Sequence, residues 1–481
     1  MTAKRTPAWR PLLVIGGACL VLASLAIVPP RAAERGVVGG EAGEATEQVD
    51  RGPAGDAGPR STTRTVTTGP QLSCAPGRNG GSTDVGVTAD AIKLGATVVD
   101  SGIGASFLGD ARFGMLAVVN RVNRSGGICG RKLELTIVDD AWDFARGGEF
   151  IRNLVEDKKV FALAVVPSSE GLKNVSDSGY LRREKVPVVG TDGMLIHQYE
   201  DPYIFPVAAS TISAMHVIAK YAHDTGAKNF GIVYEHTYHF GIEGAFAFNA
   251  AVKRLTGDDV PGYSDPLADP KCEGRFCGIA AGQASYGTEI ERFNGACFAD
   301  PGCDFVVMLL EPATALTWLA GGALTPSAGL RMAGPQPLFT RDFAEECGSR
   351  CHNLMLWTGY IPPIGGNAGL PAVKRFIDDV RVTSSSADYT NTFVEGAYVG
   401  MSMLVEALEQ VGPNLTRESL MAVLNGFEYD GGLSSPLTWA AGDHFANTRV
   451  RAYSIQFKDR FAGWRDERIV MKDPWVGKDI P

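Results

Sequence analysis

Short apolar runs recur from about Val85 onward, at 92–99, 133–138, 160–166, 186–189, 230–234 and 305–310. The run Phe161-Ala-Leu-Ala-Val-Val166 is apolar at every position, as a strand must be when helices cover both faces of its sheet. Between the runs the spacing becomes helical. Phe150, Ile151, Leu154 and Val155 share one face after Asp139-Asp140, and Ile242, Ala245, Phe246, Asn249 and Val252 share another after Tyr234. Phe393, Val394, Tyr398, Leu404, Leu408 and Val411 mark a long helix nearer the C-terminus. Strand–helix alternation predicts right-handed βαβ units, and so an α/β fold with parallel sheets covered by helices. Ligands of such sheets bind beyond the carboxyl ends of the strands, so functional residues are expected just after each run.

The ends of the chain read differently. Lys4, Arg5 and Arg10 precede an uncharged apolar stretch at 11–28, which reads as a signal peptide or a membrane anchor within 1–30. Arg31 stands where a cleavage site prefers a small residue, and Gly16-Gly17-Ala18 before Cys19 is a poor lipidation motif. Residues 31–73 hold almost no large apolar side chain and are expected to be a disordered linker. At 481 residues the whole chain is long enough for two domains.

Charge and cysteines narrow the class. A net charge of −9, with no basic run after the N-terminus, argues against a nucleic-acid partner. Six cysteines fall into close pairs, 272/277, 297/303 and 347/351. In an exported chain such pairs read as disulfides, Cys272-Cys277, Cys297-Cys303 and Cys347-Cys351. Zinc is the alternative, although the spacings are not C-x₂-C.

Motifs for catalysis are missing: there is no G-x-S-x-G, H-E-x-x-H or Walker A, and Gly102-Ile-Gly104 does not extend to G-x-G-x-x-G because position 107 is Phe. His236 and His239 beside Glu235 have the spacing of a metal pair but no third ligand in view. No enzyme activity, no cofactor and no metal are expected.

Several longer segments carry a resemblance. Gly86-Val-Thr-Ala-Asp-Ala-Ile-Lys-Leu-Gly95 is followed by Val119-Asn-Arg-Val-Asn-Arg-Ser-Gly-Gly-Ile-Cys-Gly-Arg-Lys-Leu-Glu-Leu135, by Val138-Asp-Asp-Ala-Trp-Asp143 and by Asn153-Leu-Val-Glu-Asp-Lys-Lys-Val-Phe-Ala-Leu163. In content and order these resemble the Leu/Ile/Val (branched-chain amino acid) substrate-binding proteins of ABC importers, which have the type I periplasmic-binding fold. The likeness is close over 85–260 and looser over 300–460, while 261–303 departs from it with a cysteine-bearing loop.

The resemblance implies two Rossmann-like lobes joined by three crossover segments. Lobe 1 would take 85–207 plus 338–446, and lobe 2 would take 208–337 plus 447–481, with a ligand enclosed by hinge closure. It implies an extracytoplasmic monomer that captures an amino acid or a related small carboxylate or amide for an ABC-transporter permease. The alternative is a membrane-anchored sensor of the same fold, acting on a separate membrane partner. Gly126-Gly127 is expected to end a helix in a left-handed turn, and Cys129 in that turn to bridge Cys74.

Site residues follow from the same resemblance. Ser168 and Ser169, then Thr191 and Asp192, match the positions that grip an amino acid's charged end, where a helix N-terminus favours a carboxylate. Capping of the helix near Glu170 is the other reading of the two serines. Phe107 and Trp142 are expected as aromatic residues of the first lobe. On the second lobe the expected contacts are Tyr234, Tyr238, Phe240, Glu235 as partner of a cation, and Glu311 as the acid for a ligand ammonium. An unpaired buried acid is costly, so Glu311 is expected either to meet a cation or to lie exposed.

Overall fold

The computed structural model describes residue 74 and residues 78–165, 167–459 and 461–476. The N-terminal apolar stretch and the 31–73 linker lie outside the described residues.

Two sheets organise the chain. The first contains β1 (Ala91–Val98), β2 (Lys132–Asp139), β3 (Ala162–Ala164), β4 (Val188–Thr191) and β5 (Ile204–Pro206), all parallel in the order β2-β1-β3-β4-β5. In the second, β6 (Phe230–Glu235), β8 (Phe276–Ile279), β9 (Phe305–Leu309), β10 (Arg331–Gly334) and β11 (Met355–Thr358) are parallel, after a short antiparallel β7 (Cys272–Glu273). A further pair, β12 (Glu428–Tyr429) and β13 (Leu437–Thr438), stands apart. The second sheet then ends in an antiparallel hairpin of β14 (Arg449–Lys458) and β15 (Phe461–Lys472), giving the order β15-β14-β11-β10-β9-β6-β8-β7.

The apolar runs account for these strands. β1 is buried at every position but Lys93, and β3, β6 and β9 are buried throughout, because helices lie on both faces. The helix Ala111–Arg124 packs so closely on Thr392–Val411 that a Cβ on Gly114 would sit 2.1 Å from the Val394 carbonyl oxygen. It ends at Gly126 and Gly127, at φ 105° and 81°. A Cβ on Gly127 would fall 2.0 Å from the Arg131 carbonyl oxygen, so glycine is required there by space as well as by dihedral.

The chain passes between the sheets three times: after β5, after β11 and before β14. The second passage corrects the expected return to the first lobe at 338. β11 pairs with β10 on one edge and β14 on the other, and Leu356 and Trp357 are buried. A strand with both edges bonded in one sheet cannot belong to the other, so the return follows Thr358.

Disulfides join Cys74 to Cys129, Cys272 to Cys277, Cys297 to Cys303 and Cys347 to Cys351. The first ties the incoming chain to the turn after Gly127. Buried Arg131 adds to this, donating to the carbonyls of Thr88 (2.7 Å), Gly81 (2.9 Å), Pro413 (3.3 Å) and Asn79.

Candidate functional site

The segment after β2 is shaped by its two acids. Asp139 accepts from the backbone N–H of Asp100 (2.9 Å), the Ser101 hydroxyl (2.7 Å) and the Ala141 N–H (3.0 Å), while Asp140 accepts the Trp142 N–H at 3.0 Å. These bonds hold Ala141 and Trp142 at φ 55° and 58°, a left-handed conformation costing roughly 1–2 kcal/mol per non-glycine residue.

The turn sends the Trp142 ring onto the second lobe. It stacks on Tyr238 with centroids 3.9 Å apart and planes 11° from parallel, and lies 5.9 Å from Phe240. Phe107 meets Trp142 edge-on at 5.6 Å and packs against Phe393. Four expected residues, Phe107, Trp142, Tyr238 and Phe240, therefore form one aromatic cluster built from both lobes.

Polar groups surround it. Ser168 occupies the cap position of the helix Ser169–Asp177, yet its side chain makes no capping bond. Its hydroxyl is buried with no hydrogen-bond partner among protein atoms, and the same holds for Thr191 Oγ1. Ser169 is buried in the first turn. Burial pushes the Asp140 carboxyl up to about 6, against the Trp142 N–H and the neighbouring Ser168 and Thr97 hydroxyls, neither of which closes to full hydrogen-bond geometry. Thr191 and Asp192 line a cavity of about 10 Å³ beside Gln336, Tyr360, Thr392 and Phe393, room for about one water. Burial raises Asp192 to about 7, although Gln198 Nε2 donates to it at 2.7 Å and the Met194 N–H at 3.1 Å.

On the second lobe the acids divide into two roles. Glu311 caps the helix Pro312–Ala320, accepting the N–H groups of Thr314 (2.5 Å) and Ala313 (2.7 Å) with separate oxygens. It is fully buried, which corrects the expectation that without a cation beside it this acid would lie exposed: its own helix N-terminus supplies the partners. Glu235, also fully buried, accepts the Glu311 N–H at 2.9 Å with Oε2, while Oε1 has no partner among protein atoms. Burial first, and then the Glu311 charge, hold its carboxyl well above the usual range.

Tyr234 does not join the cluster. Alternate strand residues face opposite sides, and its ring packs on Phe276 at 5.0 Å, with the hydroxyl beside Gly278 under the 261–303 segment.

Two interlobe contacts escaped sequence reasoning. Glu170 accepts the His239 backbone N–H at 2.7 Å with one oxygen and faces its Nδ1 at 2.7 Å with the other. Glu243, raised to about 7 by burial, accepts the Ile196 N–H at 2.8 Å. The available signal was an acid opening the helix after one strand and a histidine opening the helix after another; nothing in the chain pairs them. His236 instead lines a separate cavity of about 370 Å³ within the second lobe, with Lys271, Tyr286, Glu289 and Arg292. Among the described residues no group of three or more His, Cys, Asp or Glu is placed to hold a metal, and no helix is long and apolar enough to cross a membrane.

The profile of the family described as periplasmic binding protein matches residues 91–460. Among solved structures, the chain is similar to a possible leucine/isoleucine/valine-binding protein from Rhodopirellula baltica SH 1, at 17% identity and a TM-score of 0.64, covering 78% of this chain and 96% of that one. A fatty acid ABC transporter substrate-binding protein from Thermomonospora curvata is similar at 18% identity and a TM-score of 0.66, covering 84% and 98%. A solute-binding protein from R. palustris, in complex with 4-hydroxybenzoate, matches at 18% identity and a TM-score of 0.64, covering 80% and 98%. At these identities the likeness is one of fold. No curated protein matches the chain.

Proposed function

The chain belongs to the periplasmic binding protein family, and from that premise we propose that it captures a small solute outside the cytoplasm by closing two lobes over it, leaving it chemically unchanged. The observation that carries this reading is the stack of Trp142 on Tyr238, at 3.9 Å. These rings come from opposite lobes and meet across the cleft. The Glu170–His239 contact acts at the same joint.

The groups around the joint suit a compact polar solute. Ser168 and the first turn of Ser169–Asp177 offer a hydroxyl and helix N–H groups to an anionic or carbonyl end. Thr191 offers a second hydroxyl, and Glu235 an acceptor for a donor-bearing end. Phe107, Trp142, Tyr238 and Phe240 supply the apolar wall. An amino acid or a related small carboxylate or amide fits this set. An ABC permease is the fitting recipient, since structural neighbours are ABC-transporter substrate-binding proteins.

A thermal-shift screen tests the reading. A ligand that binds only the native protein adds RT ln(1 + [L]/Kd), about 2.7 kcal/mol at a hundredfold excess over Kd, and the melting temperature should rise with its concentration. A flat response to amino acids, amides, amines and small carboxylates alike removes the capture role. Turnover of any of them replaces it with an enzyme.

A further inference from the structure

The cavity of about 370 Å³ beside His236 is separate from the cleft: its lining residues, among those described, run from 236 to 292 and all belong to the second lobe. All but His236 come from the 261–303 segment, where the family resemblance breaks off. Its volume falls within the range of small-molecule sites, roughly 300–1,000 Å³. Both of its walls are held in place. The paired strands β7 and β8 form one, closed by the Cys272–Cys277 disulfide between directly opposed positions. The helix Gly287–Phe298 forms the other, and Cys297–Cys303 fixes its far end. Buried Tyr286 braces the turn between them, its hydroxyl donating to the Ala280 carbonyl at 2.8 Å and accepting the Gln283 N–H at 3.0 Å. Walls fixed in this way leave little to be ordered when a ligand enters.

The charged lining is balanced: two bases, Lys271 and Arg292, and two acids, Glu273 and Glu289. Lys271 is committed to Asp269 at 2.6 Å, and Glu273 acts on the same lysine. Glu289 and Arg292 remain. They stand one helical turn apart on the face that lines the cavity, within reach of each other. Among the described residues neither makes an ion pair or a side-chain hydrogen bond, with the other or with any third group. Gln283, Ser285 and His236 add donors and acceptors without charge, since burial holds the His236 imidazole below its ordinary value. The cavity thus presents one free positive and one free negative group among neutral polar ones.

We propose that this cavity is a second binding site, outside the cleft, for a compact zwitterion of amino-acid or dipeptide size, its carboxylate on Arg292 and its ammonium on Glu289. The planar fork of arginine donates two parallel bonds to a carboxylate, and an ionised glutamate accepts from an ammonium. A net cation would answer Glu289 and be repelled by Arg292, and a net anion the reverse. A neutral polyol would leave both charges without a counter-charge. The site shares no residue with the proposed cleft contacts and stands independently of the capture reading.

The test is calorimetric titration of the full chain with glycine, alanine and glycylglycine, against acetate, ethylamine and glycerol. Arg292→Gln and Glu289→Gln are the variants, because neither side chain bonds to another part of the protein; circular dichroism verifies their folds. Zwitterions should bind the wild type, and one binding event should weaken roughly tenfold or more in each variant, the loss expected of a charge-assisted hydrogen bond. Arg292→Lys, which keeps the charge, should lose less. The same event should persist in Glu235→Gln, a change confined to the cleft. Zwitterion isotherms identical in the wild type, Arg292→Gln and Glu289→Gln overturn the site and leave capture in the cleft standing. Acetate, ethylamine or glycerol bound as tightly as the zwitterions, and weakened by the same two variants, overturns the ligand class. Silence from all three zwitterions removes the proposal outright.

Discussion

His239 Nδ1 lies 2.7 Å from Glu170 Oε2, and the other oxygen of the same carboxylate accepts the His239 backbone N–H at 2.7 Å. One carboxyl group of the first lobe thus holds the start of a second-lobe helix. The hydrogen bond that its ring N–H donates to Glu170 raises the imidazole above 6.5, against the opposing effects of burial and Lys173. A group whose pKa is raised in the closed form stabilises that form fully below its free value, and the gain is lost as pH rises through the raised one. Closure should therefore be firmest below about pH 6.5 and loosen at higher pH. Small-angle scattering across that range should show the radius of gyration rising in the wild type. In Glu170→Gln the slope should flatten, leaving the part contributed by Glu243, which is raised to about 7 at the other interlobe contact. An unchanged slope in the variant would assign the effect to another group.

Glu311 is expected to act on stability, through its helix. Glu311→Ala removes the acceptor for two N–H groups and should cost about 1–2 kcal/mol in denaturant unfolding, while Glu311→Ser, itself a capping residue, should recover most of it. Ligand affinity should move far less than in Glu235→Gln. If Glu311→Ser keeps stability but abolishes binding, the capping assignment is incomplete.

Arg131 is a buried cation whose described partners are backbone carbonyls, those of Thr88, Gly81, Pro413 and Asn79. Arg131→Lys supplies a point charge in place of a planar fork and cannot reach all four. Each buried acceptor left unmatched costs about 1–3 kcal/mol, so a loss of that order should appear in Arg131→Lys and a larger one in Arg131→Ala. A melting temperature unchanged by Arg131→Lys would show that these carbonyls need no donor.

Ala141 sits at φ 55° in the turn that aims Trp142. Ala141→Gly removes the clash of a Cβ in that region, worth roughly 1 kcal/mol before the greater chain entropy of glycine is subtracted. Stability should hold or rise in urea titrations, with ligand affinity retained. A clear loss would mean that the alanine methyl contributes packing beyond the turn.

Much of the scaffold is legible along the chain because its determinants are local. The run 160–166 contains β3, and 230–234 and 305–310 lie over β6 and β9, since a strand covered on both faces must be apolar throughout. Gly126-Gly127 announces a helix end because only glycine takes that backbone cheaply. Phe107, Trp142, Tyr238 and Phe240 were expected as contacts from the resemblance, at positions just beyond strand ends, where parallel sheets present their ligands, and they share one aromatic cluster. Tyr234 and Glu235 show how narrow that rule is: one residue of register separates a ring under the 261–303 segment from a carboxyl at the lobe interface.

The amino-acid order by itself determined the alternation of strands and helices, because periodicity and turn residues act over a few neighbours, and the resemblance of its motif segments implied the family and the two lobes. Tertiary structure alone decided that β11 lies in the second sheet, since its partner β14 is far along the chain. It also decided that Glu311 spends both oxygens on its own helix while Glu235 keeps one free, and that Glu170 meets His239 across 69 residues. The physical reason is the same in each case: whether a buried polar atom is satisfied depends on which distant group arrives beside it, and that is fixed only when the lobes come together.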